Sequence, residues 1–171
     1  AAAVFGFDRV NKAGARFDWD KLNWLNSQVL HALPAETLLQ ELEPLWLDRG
    51  WSLPDSPGWS VDLCRLLGPS LTLFKDGVEQ AEPFFLCPEM QSDGVEQLQV
   101  EGAKQAISHL LEKLEAEPWT GADPEVAKQL LTDAAKAAGV KKGVVMKSLR
   151  AALLGRLQGP DLITTWSLLA R

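Results

Sequence analysis

Apolar side chains recur along this 171-residue chain at steps of three and four, and no stretch alternates apolar with polar positions for long. That periodicity predicts helices throughout and an all-α fold. Asp18 and Asp20 precede Leu22, Leu25 and Val29, an acidic start followed by an apolar stripe, which predicts a helix over residues 18 to 32. Leu38, Leu39, Leu42, Leu45 and Trp46 form the next stripe, between Pro34 and Gly50, with Pro44 expected to end its first part or kink it. A Pro-rich loop follows over 51 to 59. Ser60 is then expected to cap a short helix bearing Leu63, Leu66 and Leu67, stopped by Gly68-Pro69.

A helix over about 70 to 81 should stop before Pro83, leaving 82 to 93 as loop. Ser92 or Asp93 opens a long helix with Val100, Ala103, Ile107, Leu110, Leu111 and Leu114 on one face, closed by Pro118. Asp123-Pro124 pairs an N-cap with proline at the first helical position, and Gly139 supplies the stop. Two closing helices, about 143 to 157 and 160 to 170, meet at a Gly159-Pro160 turn. Trp19, Trp24, Trp46 and Trp166 fall on apolar stripes and are expected in the core.

Composition narrows the function classes. No run of about 18 apolar residues offers a membrane span. The opening Ala1-Ala2-Ala3-Val4-Phe5 has no Met and no basic leader, as in a piece of a longer protein. Cys64 and Cys87 lack vicinal partners and read as reduced, buried thiols of a cytoplasmic protein. His31 and His109 stand alone, so no metal site is expected, and no phosphate-binding, nucleophile-elbow or dinucleotide motif appears.

Charge does change the picture. Residues 136 to 171 carry seven basic side chains (Lys136, Lys141, Lys142, Lys147, Arg150, Arg156 and Arg171) against Asp161 alone, in a chain whose net charge is −6. The first 135 residues are therefore strongly acidic and should repel a polyanion, which leaves the basic end as its docking place. On a helix starting near Gly143, Val145, Leu149, Ala152 and Leu153 cluster on one side, with Lys147 and Arg150 projecting beside them. Gly155, Gly159 and Pro160 leave a bare turn ahead of the last helix, suited to an anion or a base edge. By spacing alone, the same residues also describe a solvated basic face.

Two strings carry more information. FGFDRVNKAGARFDWDKLNWLN (5 to 26) and GVKKGVVMKSLRAALLGRLQGPDL (139 to 162) resemble, in the same order, segments of bacterial glutamyl-tRNA synthetases. The resemblance implies the all-helical anticodon-binding region of that ligase family: residues 1–34 as a connecting segment after the catalytic core, and 35–117 and 118–171 as two helical subdomains, a bundle and a helical cage. It implies tRNA and an N-terminal catalytic domain of the same parent chain as partners. ATP and Mg²⁺ would act in that catalytic domain, whose His-x-Gly-His and Lys-Met-Ser-Lys-Ser signatures do not occur here, so this chain alone should not catalyse and should need no cofactor.

Carried over position by position, the resemblance puts Arg150 near the anticodon bases and Gly159, Pro160, Asp161 and Leu162 against them. The region that reads the third anticodon base matches Leu67-Gly68-Pro69-Ser70-Leu71, with Gly68 or Ser70 where strict readers carry arginine. This implies loose reading of that base and acceptance of glutamine as well as glutamate tRNA, unless Arg65, a turn away, substitutes. Lys21 and Trp24 match contacts to the tRNA arm, and Arg65, Lys141, Lys142, Lys147 and Arg156 are assigned to the backbone. Leu154 departs from the usual Thr. The competing class is an acidic helical module that binds another protein, and salt-dependent tRNA binding separates the two.

Overall fold

The computed structural model describes residues 17–170. The first string therefore lies outside the described residues over 5 to 16, as does Arg171. The described residues form nine α-helices and one 3-10 turn, with no strand among them. They are α1 (Trp19–His31), α2 (Ala35–Asp48), α3 (Trp59–Leu67), the 3-10 turn (Gly68–Ser70), α4 (Phe74–Phe85), α5 (Ser92–Leu98), α6 (Ala103–Ala116), α7 (Pro124–Ala137), α8 (Lys142–Leu154) and α9 (Leu162–Leu169). Asp18 and Asp123 cap α1 and α7 through their carboxylates, as their positions suggest.

Neither internal proline ends its helix. α2 runs through Pro44 because Leu38, Leu42 and Trp46, on both sides of it, are buried in one core. α4 runs through Pro83 for the same reason, with Ala81 and Phe84 buried, so residues 82 to 85 are helix rather than loop. Packing on both flanks outweighs the single backbone hydrogen bond that each proline removes. α3 begins at Trp59, after a left-handed Gly58, rather than being capped by Ser60.

The expected long helix is broken at Gly102 (φ +76), where a Cβ would meet Val140 Cγ1 at 2.3 Å. Close approach of the loop after α7 demands glycine there. Val100 and Leu111, expected on its inner face, are exposed.

Two cores result. The first gathers Leu38, Leu42, Trp46, Trp59, Leu63 and Leu71 from α2, α3 and the segment before α4, roofed by Trp51 stacked on Phe85 at 4.8 Å. The second gathers Ala106, Leu110, Leu131, Val145, Leu149 and Trp166. α6 belongs to this second core, so the expected boundary at 117 cuts through packed structure and the cores part between α4 and α5 instead.

α9 joins them, with Leu162 and Trp166 in the second core and Leu168 in the first. Trp59 Nε1 donates to the Leu168 carbonyl at 2.9 Å inside the seam. The start of α5 is tied to the end of α8, where the Gly155 carbonyl accepts from Gln91 N at 2.8 Å and Asp93 accepts from Leu157 N at 3.0 Å.

α1 lies at the edge, against the 3-10 turn, tied by Asn26 to the Thr72 carbonyl and by His31 Nε2, which donates to the Leu71 carbonyl at 2.9 Å. Only Leu30 of α1 is buried; Trp19 and Trp24 are 68% and 59% exposed. The expectation that both belong to the core is thus corrected, whereas Trp46 and Trp166 are buried as expected. Ala152, expected to pack, is also exposed.

Cys64 is buried, and burial followed by the Glu43 charge pushes its thiol up to about 12. Cys87, in contrast, is exposed between α4 and α5.

Gly155 (φ +71) and Gly139 (φ +66) share a left-handed backbone, but only at Gly155 would a Cβ strike backbone, the Glu89 oxygen at 2.2 Å. Gly139→Ala should lower unfolding free energy by about 1 kcal/mol. Gly155→Ala should lower it by about 3 kcal/mol, because the α4–α5 linker must move away. Urea denaturation of the two variants checks the contrast, and equal losses would show that the linker yields freely.

Candidate nucleic-acid interface

The basic end builds its surface around the turn between α8 and α9. α8 ends at the left-handed Gly155, and the chain then crosses the front of the molecule through Arg156, Gln158, Gly159 and Pro160. Arg150 reaches up from α8 and donates from Nη1 to the Pro160 carbonyl at 2.6 Å. A Cβ on Gly159 would come within 2.6 Å of Leu154 Cδ1 and 3.4 Å of Arg150 Nη1, so the turn lies directly on this arginine. Asp161 then caps α9, its Oδ1 accepting from Thr164 N at 2.9 Å and Thr164 Oγ1 at 2.8 Å.

Burial alone would raise the Asp161 carboxyl. The Thr164 N–H and hydroxyl, the nearby Arg150 charge and the Ile163 N–H together outweigh it, and the net shift is downward.

Across from this turn stands the first subdomain. A cleft of about 410 Å³ separates the two, with Ser70, Asp76, Glu79 and Gln80 on one wall and Arg156, Gln158, Gly159 and Pro160 on the other. Ser70 Oγ lies 2.7 Å from Gln80 Oε1 and 2.8 Å from the Leu67 carbonyl. Asp76 is partly committed, since its Oδ2 accepts from the N–H groups of Thr72 and Leu73 at 3.0 and 2.8 Å.

The fold thus brings Ser70, Arg156, Gly159 and Pro160 to one cleft, although 86 residues of sequence separate Ser70 from Arg156. Other singled-out residues lie elsewhere. Leu162 is 2% exposed and packs in the second core, so it offers no surface to a base. Arg150 is half-buried with one nitrogen committed to the turn, so it is not the free guanidinium its spacing suggested.

Arg65 pairs with Asp62 at 2.6 Å and Glu36 at 4.0 Å and lines a separate cleft of about 680 Å³ with Asp161, away from Ser70. Lys142 donates to the Lys128 carbonyl and to Thr132 Oγ1, at 3.2 and 3.0 Å, tying α8 to α7. Lys141, just before α8, and Lys147 on α8 are exposed, and Lys21 and Trp24 are exposed on α1 outside the cleft. Among the described residues, no group of His, Cys, Asp and Glu is placed to hold a metal ion, and no helix is long and apolar enough to cross a membrane. Gln80, Asp76, Glu79 and Gln158 carried no signal in the sequence, because only the packing of α4 beside the turn gives them a shared cleft.

An all-helical pair of cores flanking a cleft with a glycine-proline turn coincides with a known architecture. Residues 36–171 match the family model described as anticodon binding domain. The chain belongs to that family.

The chain is 74% identical over its whole length to the glutamate–tRNA ligase of Parasynechococcus marenigrum (strain WH8102) and 69% identical to that of Prochlorococcus marinus (strain MIT 9303), spanning 36% of each relative. Among solved structures, the glutamate–tRNA synthetase of Elizabethkingia anophelis superimposes with a TM-score of 0.76 at 27% identity, over 96% of this chain and 32% of that one. This anticodon binding domain therefore covers about a third of the curated relatives it matches.

Because the Asp161 carboxyl titrates below its ordinary value, its contribution to stability is fully present above the unfolded pKa of about 3.9 and is lost as pH falls through the folded pKa. Asp161→Ala should lower unfolding free energy by about 1 kcal/mol at pH 7 through loss of the cap. Asp161→Asn, which still caps, should lose less at pH 7 and show a weaker fall in stability as pH drops from about 5 to about 2, as measured by thermal unfolding across that range.

Proposed function

We propose that this domain holds the anticodon loop of a tRNA in the cleft between Ser70 and the Gly159-Pro160 turn, as part of a ligase that joins glutamate to that tRNA. The observation that carries the reading is the meeting of these two segments across one cleft in a chain of the anticodon binding domain family. Loop bases are unstacked and can enter such a cleft edge-first, to be met by guanidinium, amide and backbone groups. Lys141 and Lys147, exposed at the start and in the middle of α8, suit the phosphates that flank the loop. The acidic remainder of the surface limits adhesion to unrelated polyanions.

ATP, Mg²⁺ and the catalytic step belong, in this reading, to the rest of the ligase, in the cytoplasm where tRNA is charged. Arg65 is held by Asp62 and Glu36, and the Ser70 hydroxyl is engaged with Gln80 or Leu67, so the first wall brings no arginine to the cleft. That favours a relaxed reading at this wall and acceptance of glutamine tRNA beside glutamate tRNA.

Arg150 here is a positioning residue for the turn. In the full-length ligase, Arg150→Ala should cost about 1–3 kcal/mol of kcat/KM toward the cognate anticodon and far less toward anticodon-altered tRNA. Lys147→Ala should weaken all tRNAs alike and reduce the salt slope by about one. Losses independent of the anticodon for Arg150→Ala would contradict the assignment of the cleft.

A further inference from the structure

Resting on the anticodon-loop reading above, we infer that Arg156 is a base-reading residue of the cleft, selecting a nucleobase that presents two adjacent hydrogen-bond acceptors, cytosine or guanine, over uracil or adenine. Its position, its unspent donors and the charges around it support this.

Arg156 follows the left-handed Gly155 and lines the cleft opposite Ser70 and Gln80. Arg150 is committed to the Pro160 carbonyl and Lys142 to α7, Arg65 of the first subdomain pairs with two carboxylates, and Lys141 and Lys147 are exposed outside the cleft. The Arg156 side chain makes no hydrogen bond or ion pair, and its Nε is buried without a partner. An unpaired guanidinium at the side of a cleft keeps donors that a ligand entering the cleft can engage. The half-buried side chain also starts from restricted freedom, which favours a directed contact over a mobile one.

The surroundings decide between a phosphate and a base. Asp76 and Glu79 share the cleft with Arg156, and a phosphate placed there would face two carboxylates. A base would not. Guanidinium donates two parallel N–H bonds, and guanine offers O6 beside N7, while cytosine offers O2 beside N3. Cytosine carries its N4 amino group on that same edge, where the Glu79 carboxylate can accept from it, whereas the O6/N7 edge of guanine bears no amino group. Uracil alternates acceptor, donor, acceptor along its pairing edge, and adenine sets a donor beside each edge acceptor, so neither matches the fork. The same guanidinium therefore serves cytosine or guanine in turn, without a second arginine on the facing wall.

The test uses the full-length ligase carrying this domain and tRNA transcripts with each base in turn at each anticodon position, with Kd measured at two salt concentrations. Wild-type protein should prefer cytosine and guanine at one position. Arg156→Ala should lose about ten- to a hundredfold affinity for the preferred transcripts and little for their uracil and adenine counterparts. Arg156→Lys, which keeps the charge but not the fork, should retain the salt slope and lose the preference.

Equal loss across all transcripts with near-wild-type behaviour of Arg156→Lys would make Arg156 a phosphate contact and overturn the inference, as would an unchanged preference in Arg156→Ala. A wild-type protein indifferent to every anticodon base would overturn the anticodon reading itself, a result separable from failure at Arg156 alone.

Discussion

The short helix α9 is shared by two cores, and the rest of the molecule depends on that sharing. Eight residues do not hold a helix in water, because nucleation outweighs the few hydrogen bonds gained. α9 is stable because Leu162 and Trp166 are buried on one side and Leu168 on the other, with the Trp59 indole N–H bonded to the Leu168 carbonyl in the apolar seam. An unmade hydrogen bond at that depth would cost about 1–3 kcal/mol, so the bond also fixes the register of α9 against α3. The same helix begins at the Asp161 cap, one residue past Pro160. The relative placement of the cores and the position of the turn are thus one constraint, and the width of the cleft follows from it.

Charge acts within that frame by subtraction. The basic end is rich in cations, yet the fold assigns several of them to itself: Lys142 laces α8 to α7 and Arg150 supports the turn. Arg65, in the acidic part, is neutralised by its own neighbours. What remains for a nucleic acid is a small, directional set, with Lys141 and Lys147 outside and Arg156 inside the cleft. On the proposed reading, a domain of net charge −6 meets RNA on these terms, because the attraction is local while the background repels.

Much of the helical layout was legible in the chain. Three- and four-residue periodicity and capping carboxylates are local signals, and they located α1, α7 and the α8–α9 pair to within a few residues. Pro44 and Pro83 misled because the cost of a missing hydrogen bond is local while the burial of Trp46 and Phe84 is tertiary. The α1 stripe misled in the opposite sense: an apolar face predicts burial only where an element covers it, and α1 touches the fold chiefly along Asn26, Leu30 and His31.

The site was half legible. Ser70 and the Gly159-Pro160 turn were singled out through family resemblance, and spacing alone had no means of joining them across 89 residues. Leu162 was singled out by motif position, which says nothing about which way a side chain turns, and the start of α9 turns it inward. The central claim is that anticodon nucleotides occupy the cleft. A photo-crosslinking amino acid at Gln158, exposed on the cleft wall, tests it most directly in the full-length protein mixed with tRNA. Crosslinks mapped by reverse transcription should fall in the anticodon loop and should be absent when the probe is moved to exposed Gln40 on α2. Crosslinks confined to the acceptor or D arm, or equal from both positions, would contradict it.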